Sequence, residues 1–259
     1  MSVSVGYEKA RAEGRAALVG YLPAGFPTVA EGIAAVNAMI ESGVDVVEIG
    51  LPYSDPVMDG PVIQRATETA LANGVRTRDV LATVEATSGH GVPVLVMTYW
   101  NPVEKYGVDA FARDLAAAGG AGLITPDLIP DEADEWLAAS EAHQLDRVFL
   151  VSPSSTDERI AMTVAHCRGF VYATAVMGVT GARDSTSSAA PTLVERIKRV
   201  SGSLPVGVGL GVRSGAQAAE VGAFADGVIV GSALVSALAD GGLPALRALT
   251  ADLRAGLST

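Results

Sequence analysis

Eight short runs of apolar, largely β-branched residues recur along the chain, separated by Ala-rich amphipathic segments. They are ALVGYL (17–22), VDVVEIGL (44–51), VPVLVMTY (92–99), AGLITPD (121–127), RVFLVSP (147–153), GFVYATAV (169–176), LPVGVGL (204–210) and GVIVGS (227–232). Several carry Val or Ile on both alternating positions, which marks strands buried on both faces, as parallel strands are. Helices are predicted over 29–42, 61–73, 107–118, 131–143, 157–167, 191–200, 214–222 and 233–253, and an extra one near 5–14 precedes the first strand. Glycines mark some of the stops, as in Glu41-Ser42-Gly43 and Ala118-Gly119-Gly120. Eight strand–helix units without a composition break or linker predict an α/β fold, one (β/α)8 TIM barrel spanning 1–259 with an added N-terminal helix. An open doubly wound sheet is the alternative, and the nearly even spacing of the repeats favours closure.

Composition narrows the function classes. With 49% hydrophobic and 18% charged residues the chain is not disordered, and a single Cys excludes a disulfide framework. Eighteen basic against 29 acidic residues, a net charge of −11, cannot supply the dense Lys/Arg face that a phosphate backbone or an anionic membrane requires. No stretch approaches the ~20 apolar residues of a membrane span. The first twenty residues lack the apolar centre of a signal peptide, and a cytoplasmic location is expected.

In such a barrel, catalytic groups sit at the C-terminal ends of the strands and in the loops that follow. Those positions offer Tyr21 on strand 1, Glu48, Asp55 and Asp59 in EIGLPYSDPVMDG, Tyr99 and Asn101 after strand 3, Asp127 after strand 4, and Tyr172 and Thr174 on strand 6. The three lysines, Lys9, Lys105 and Lys198, all fall outside the strands, which disfavours a Schiff-base aldolase. The three histidines, His90, His143 and His166, precede strands and belong to the opposite rim, so no imidazole set for a catalytic metal is evident.

Glu48 is the sharpest single residue. It interrupts an apolar strand on the same face as Val46 and Gly50, a face that can point into the barrel. A carboxylate there is costly unless it is paired or used, because desolvation disfavours the charged form. It is either a buried Glu satisfied by backbone donors or a catalytic acid/base. Asp59, before Gly60-Pro61, is either a turn or N-cap residue or a second functional carboxylate; Asp55 and Asp127 suit loop-fixing roles. Gly-rich turns after strands 7 and 8 (GVGLGVRSG and VGSAL) bring Gly209, Gly211, Gly231 and Ser232 where backbone amides could cradle a phosphate, with Gly181 as a further contributor. The small, polar stretch 178–190 is long for a βα connection and suits an active-site lid.

At this point the sequence resembles the α chain of tryptophan synthase. VEIGLPYSDPVMDGPVIQRAT is similar to that family's signature strand and loop almost residue for residue. MTYWNPVEKYG, GLITPDLIP, MGVTGAR, GVGLGV and GVIVGSALV follow in the right order, so the resemblance spans roughly 15–255. It implies a cofactor-free lyase of tryptophan biosynthesis, splitting indole-3-glycerol phosphate into indole and glyceraldehyde 3-phosphate by a retro-aldol reaction.

The residue matching Glu48 would deliver a proton to indole C3, and the residue matching Asp59 would hold the indole N–H. Carried over by motif, Tyr21, Tyr99, Ile124, Leu150 and Tyr172 would line the indole pocket. Thr180 would close over it, and Gly181, Gly211, Gly231 and Ser232 would hold the phosphate. Pro52, Asp55 and Asn101 match positions that meet a β chain in an α2β2 heterotetramer; pyridoxal phosphate would belong to that partner. Two departures from the family pattern are Phe26, where many members carry Asp, and Met177 before the lid. A stand-alone indole-releasing lyase, a non-catalytic phosphate-binding regulatory barrel and another phosphosugar enzyme are the competing readings.

Overall fold

The eight apolar runs become eight parallel strands: β1 (Ala17–Pro23), β2 (Val46–Gly50), β3 (Val94–Met97), β4 (Gly122–Thr125), β5 (Asp146–Val151), β6 (Val171–Thr174), β7 (Val206–Gly209) and β8 (Gly227–Val230). Each pairs with the next and β8 returns to β1, closing the barrel. The structure is a computed structural model and describes residues 1–174 and 189–258. The expected lid over 178–190 therefore lies mostly outside the described residues, together with Thr180, Gly181 and Met177.

Helices surround the barrel: α1 (Ser4–Ala12), α2 (Val29–Glu41), α3 (Pro61–Ala72), α4 (Thr77–Thr87), α5 (Trp100–Tyr106), α6 (Val108–Ala117), α7 (Asp134–Ala142), α8 (Asp157–His166), α9 (Ala189–Ser201), α10 (Gly215–Gly222) and α11 (Ser232–Gly256). Two of these exceed the sequence reading. α4 begins where the Asp79 carboxylate accepts the Arg76 N–H at 2.8 Å, and it buries Val80, Leu81 and Val84. α5 contains Lys105, in a stretch where the sequence predicts no helix; Pro102 falls within its first turn, where a missing N–H costs nothing.

Two apolar layers result. The larger lies between strands and helices and includes Leu18, Val47, Ile49, Val96 and Leu123, together with half-buried Phe26. The smaller fills the barrel itself with Val19, Val46, Leu95, Ile124, Val148, Phe170 and Ile229. α1 closes its N-terminal end. The Val3 N–H and the Ser2 hydroxyl donate to Asp146 Oδ2 at 2.7 and 2.9 Å, tying the chain start to the foot of β5. Arg15, after α1, makes a buried two-pronged ion pair with Asp45, whose carboxylate also accepts the Leu18 N–H at 2.8 Å.

Room inside the barrel is uneven. β7 presents Gly207 and Gly209 inward, and β8 presents Gly227. A Cβ at Gly207 would lie 2.6 Å from the Tyr7 hydroxyl, one at Gly227 would lie 2.8 Å from it, and one at Gly209 would lie 2.7 Å from the Tyr172 hydroxyl. The missing side chains admit an aromatic column along the barrel. Tyr7 stands against Phe170 at 5.3 Å between centroids, and Phe170 against Tyr172 at 6.2 Å.

Candidate active site

Strand alternation turns Val46, Glu48 and Gly50 inward, because the intervening Val47 and Ile49 are claimed by the helix-facing core. Glu48 pairs in register with Tyr21 on β1 and with Leu95 on β3. It is 1% exposed, and its Oε1 has no hydrogen-bond partner among the described residues. Burial alone pushes its carboxyl from the usual 4.5 up to about 8. A glutamate in that environment is a neutral acid near pH 7. Among the described residues, then, no backbone donor reaches Glu48 Oε1.

Above it, Tyr21 is nearly buried; its hydroxyl fills the place of a side chain at Gly50, where a Cβ would approach it to 2.2 Å. Tyr172 lies across the barrel on β6. Both phenols are held well above the ordinary tyrosine range, chiefly by burial, with the Glu48 charge acting in the same direction. Ile124 is fully buried inside the barrel and Leu150 is half-buried beside Tyr172, with which it pairs in register. Tyr21, Glu48, Ile124, Leu150 and Tyr172 are therefore brought onto one apolar interior surface.

Asp59 occupies the β2–α3 loop. Gly60 is the N-cap residue of α3, so Asp59 lies one position outside the helix. Its Oδ1 accepts the Tyr99 hydroxyl at 3.2 Å, and that hydroxyl in turn accepts the Met58 N–H at 3.0 Å. Gln64 fixes the loop from the helix side, its amide donating to the Asp59 carbonyl at 2.7 Å. Burial raises the Asp59 carboxyl and the Tyr99 hydrogen bond partly opposes this. Tyr99 is pushed up to about 12, first by burial and then by the neighbouring Asp59 charge. The mouth thus holds two acids in unequal surroundings: one enclosed with an unpartnered oxygen, and one half-buried and hydrogen-bonded.

The anion-binding turns adjoin this pocket. Gly231 is the N-cap residue of α11, and a Cβ there would meet the Tyr21 ring at 3.3 Å. Ser232, buried, is the first residue of that helix, so its backbone amide belongs to the electropositive end. Gly211 has φ +70, a backbone conformation that disfavours a side chain. Asp127 does not join the site. Its carboxylate accepts the Trp100 N–H at 2.9 and 3.2 Å and so starts α5. Asp55 is exposed and accepts the Ser54 hydroxyl at 2.6 Å, a loop-fixing contact. Pro52 is buried at the start of the same loop, and Asn101 is exposed on α5.

Sequence reasoning passed over Tyr53, whose ring lies 5.3 Å from that of Tyr99, and Tyr7 on the barrel floor. The glycines two apart on β7 and another on β8 hint at a hollow in the barrel, but nothing in the sequence says that Tyr7 is the side chain that fills it.

The sequence pattern of the family described as tryptophan synthase alpha chain matches residues 7–253. The alpha chain from Salinispora arenicola is 69% identical over 262 residues, covering 99% of this chain and 98% of its own length. The alpha chain from Mycobacterium tuberculosis is 67% identical over 251 residues, covering 97% and 92%. Among solved structures, Mycobacterium tuberculosis tryptophan synthase superposes with a TM-score of 0.95 at 65% identity over 99% of this chain and 98% of that one. Subunit alpha from Legionella pneumophila gives 0.87 at 35% identity, covering 99% and 98%.

Proposed function

The chain belongs to the tryptophan synthase alpha chain family, the lyases that split indole-3-glycerol phosphate in tryptophan biosynthesis, and from that premise we propose that Glu48 and Asp59 carry the cleavage. The observation that supports this is the enclosed, unpartnered Glu48 carboxyl, raised to about 8, at the base of an apolar, tyrosine-lined hollow.

Breaking the bond between indole C3 and the glycerol chain leaves an electron pair that needs an acceptor. Neutral Glu48 gives its proton to C3, and the indole becomes an indolenine cation. That cation takes the electron pair as the C–C bond breaks, restoring the aromatic ring. The Glu48 carboxylate then recovers a proton from the glycerol hydroxyl, whose oxygen becomes the aldehyde of glyceraldehyde 3-phosphate. Protons balance, and the acid is ready again. Asp59, oriented by Tyr99, accepts the indole N–H and offsets the positive charge growing on the ring nitrogen.

Tyr21, Ile124, Leu150 and Tyr172 hold the indole, and the amides around Gly211, Gly231 and Ser232 hold the phosphate. Thr180 and Gly181, outside the described residues, complete this assignment as the lid threonine and a phosphate contact. Pyridoxal phosphate belongs to the β chain with which the alpha chain forms the tetrameric complex, and Pro52, Asp55 and Asn101 are assigned to that contact. We treat 1–259 as one catalytic domain acting in the cytoplasm; among the described residues no helix is long and apolar enough to cross a membrane.

The test is indole release from indole-3-glycerol phosphate by the full chain, with and without the β chain. Wild type should release indole and be activated by its partner. Glu48→Gln should lose about 10²–10⁴ in turnover, the span of general acid–base catalysis. Full turnover in that variant contradicts the assignment, and no indole from wild type contradicts the activity.

A further inference from the structure

We propose that Tyr7, carried into the barrel floor by α1, is a positioning residue for Glu48, its hydroxyl donating to the carboxylate while the transferred proton is on the substrate. This rests on the reading of Glu48 as proton donor.

The Tyr7 hydroxyl is a buried polar group with no partner among the described residues. Burying a hydroxyl unsatisfied costs stability, whereas Phe would make the same 5.3 Å ring contact with Phe170 at no such cost. The barrel is nevertheless hollowed around that oxygen, with Gly207 and Gly227 each leaving the space of a side chain against it. The only other unpartnered oxygen among the inward-facing strand residues described is Glu48 Oε1. Two buried orphan atoms of complementary type, a donor and an acceptor, thus share one interior. They become partners once the acid ionises.

The surroundings of Glu48 support the assignment. Tyr21 on β1 and Tyr172 on β6 face it at the mouth, where Tyr99 and Asp59 also stand; Leu95, Ile124 and Val148 line β3, β4 and β5; β7 and β8 contribute glycine and Ile229. Asp45 and Asp226 act on Tyr7 from below. Among the described residues no cation pairs with Glu48, and the phenols its charge acts on are Tyr7, Tyr21 and Tyr172. Of these, Tyr21 and Tyr172 belong to the substrate pocket, whereas Tyr7 comes from beneath it. Among the charges that act on Tyr7, Glu48 is the largest, and burial keeps the phenol protonated throughout. Tyr7 therefore serves as a donor only and exchanges no proton.

The experiment compares wild type, Tyr7→Phe, Gly207→Ala and Glu48→Gln, each bound to the β chain, in the pH dependence of indole release and in thermal melting. Cleavage needs protonated Glu48, so activity falls on the alkaline side as that group ionises. Removing a donor to its carboxylate moves this limb to higher pH, by about one unit, and lowers kcat about tenfold with KM unchanged. Tyr7→Phe should do both while melting no lower than wild type. Gly207→Ala keeps the phenol but pushes a methyl against its oxygen, and should shift the limb the same way. If Tyr7→Phe and Gly207→Ala keep the wild-type limb and turnover while Glu48→Gln is inactive, the proposal for Tyr7 is overturned and the Glu48 assignment stands. If Glu48→Gln itself turns over normally, both fall.

Discussion

Replacing Glu48 by Gln should make the protein inactive yet more stable at alkaline pH. Burial lifts the Glu48 carboxyl from 4.5 to about 8. Because the folded value lies above the unfolded one, the folded chain holds a proton that the unfolded chain releases. The stability tied to that proton is fully present below about pH 4.5 and is lost as pH rises to about 8. Integrating between pH 5 and pH 8 gives a loss of about 3–4 kcal/mol in wild type from this one group. Gln has no such proton, so the stability difference, Gln variant minus wild type, should grow by that amount over the same interval. In a chain of this size it corresponds to roughly 7–14 °C in relative Tm. Urea unfolding of both proteins at pH 5, 6.5 and 8, followed by circular dichroism, measures the difference directly, and other titrating groups cancel in it. A difference that stays flat with pH would refute the reasoning, since it would mean that Glu48 ionises in the folded chain as readily as in water.

Three further outcomes follow from the geometry. Asp59→Asn keeps an oxygen able to accept from Tyr99 but removes the charge beside the indole nitrogen, so indole release should fall by about 10²-fold or more while far-UV circular dichroism is unchanged. Gly50→Ala places a methyl 2.2 Å from the Tyr21 hydroxyl; repacking should cost about 1–3 kcal/mol and displace that phenol, seen as a lower Tm and weaker binding of an indole phosphate analogue in calorimetry. Asp45→Asn removes the buried one of the two carboxylates paired with Arg15, leaving only Glu13 at 2.8 Å, and should destabilise by about 1–3 kcal/mol in urea unfolding, with the active-site residues untouched.

Much of this was legible in the chain itself. Apolar residues on both alternating positions of VVEIG and VLVM signal strands covered on both faces, and eight such runs leave few arrangements other than closure. Glu48 stood out because a charge inside an apolar strand must be explained locally. Elements that depend on distant partners were harder. α5 begins with Trp100-Asn101-Pro102, which reads as a loop until Asp127, on the next strand's loop, supplies the acceptor for its first amide. α4 had a local signal in Arg76 and Asp79, masked by the short polar link that precedes it. Asp59 remained ambiguous because its partner Tyr99 lies 40 residues away, on the loop after β3. Tyr7 could not be ranked above any other helix aromatic until the inward glycines of β7 and β8 were seen to face it.

The central claim is that Glu48 waits as a neutral acid at the pH where the enzyme works. Carbon-13 NMR of protein labelled at the glutamate side-chain carboxyl, with the Glu48 resonance identified by its loss in Glu48→Gln, reads this protonation state directly. A carboxyl that remains protonated at pH 7 and titrates with a midpoint near 8 is the predicted result. A resonance already at the carboxylate position at pH 6 would contradict it.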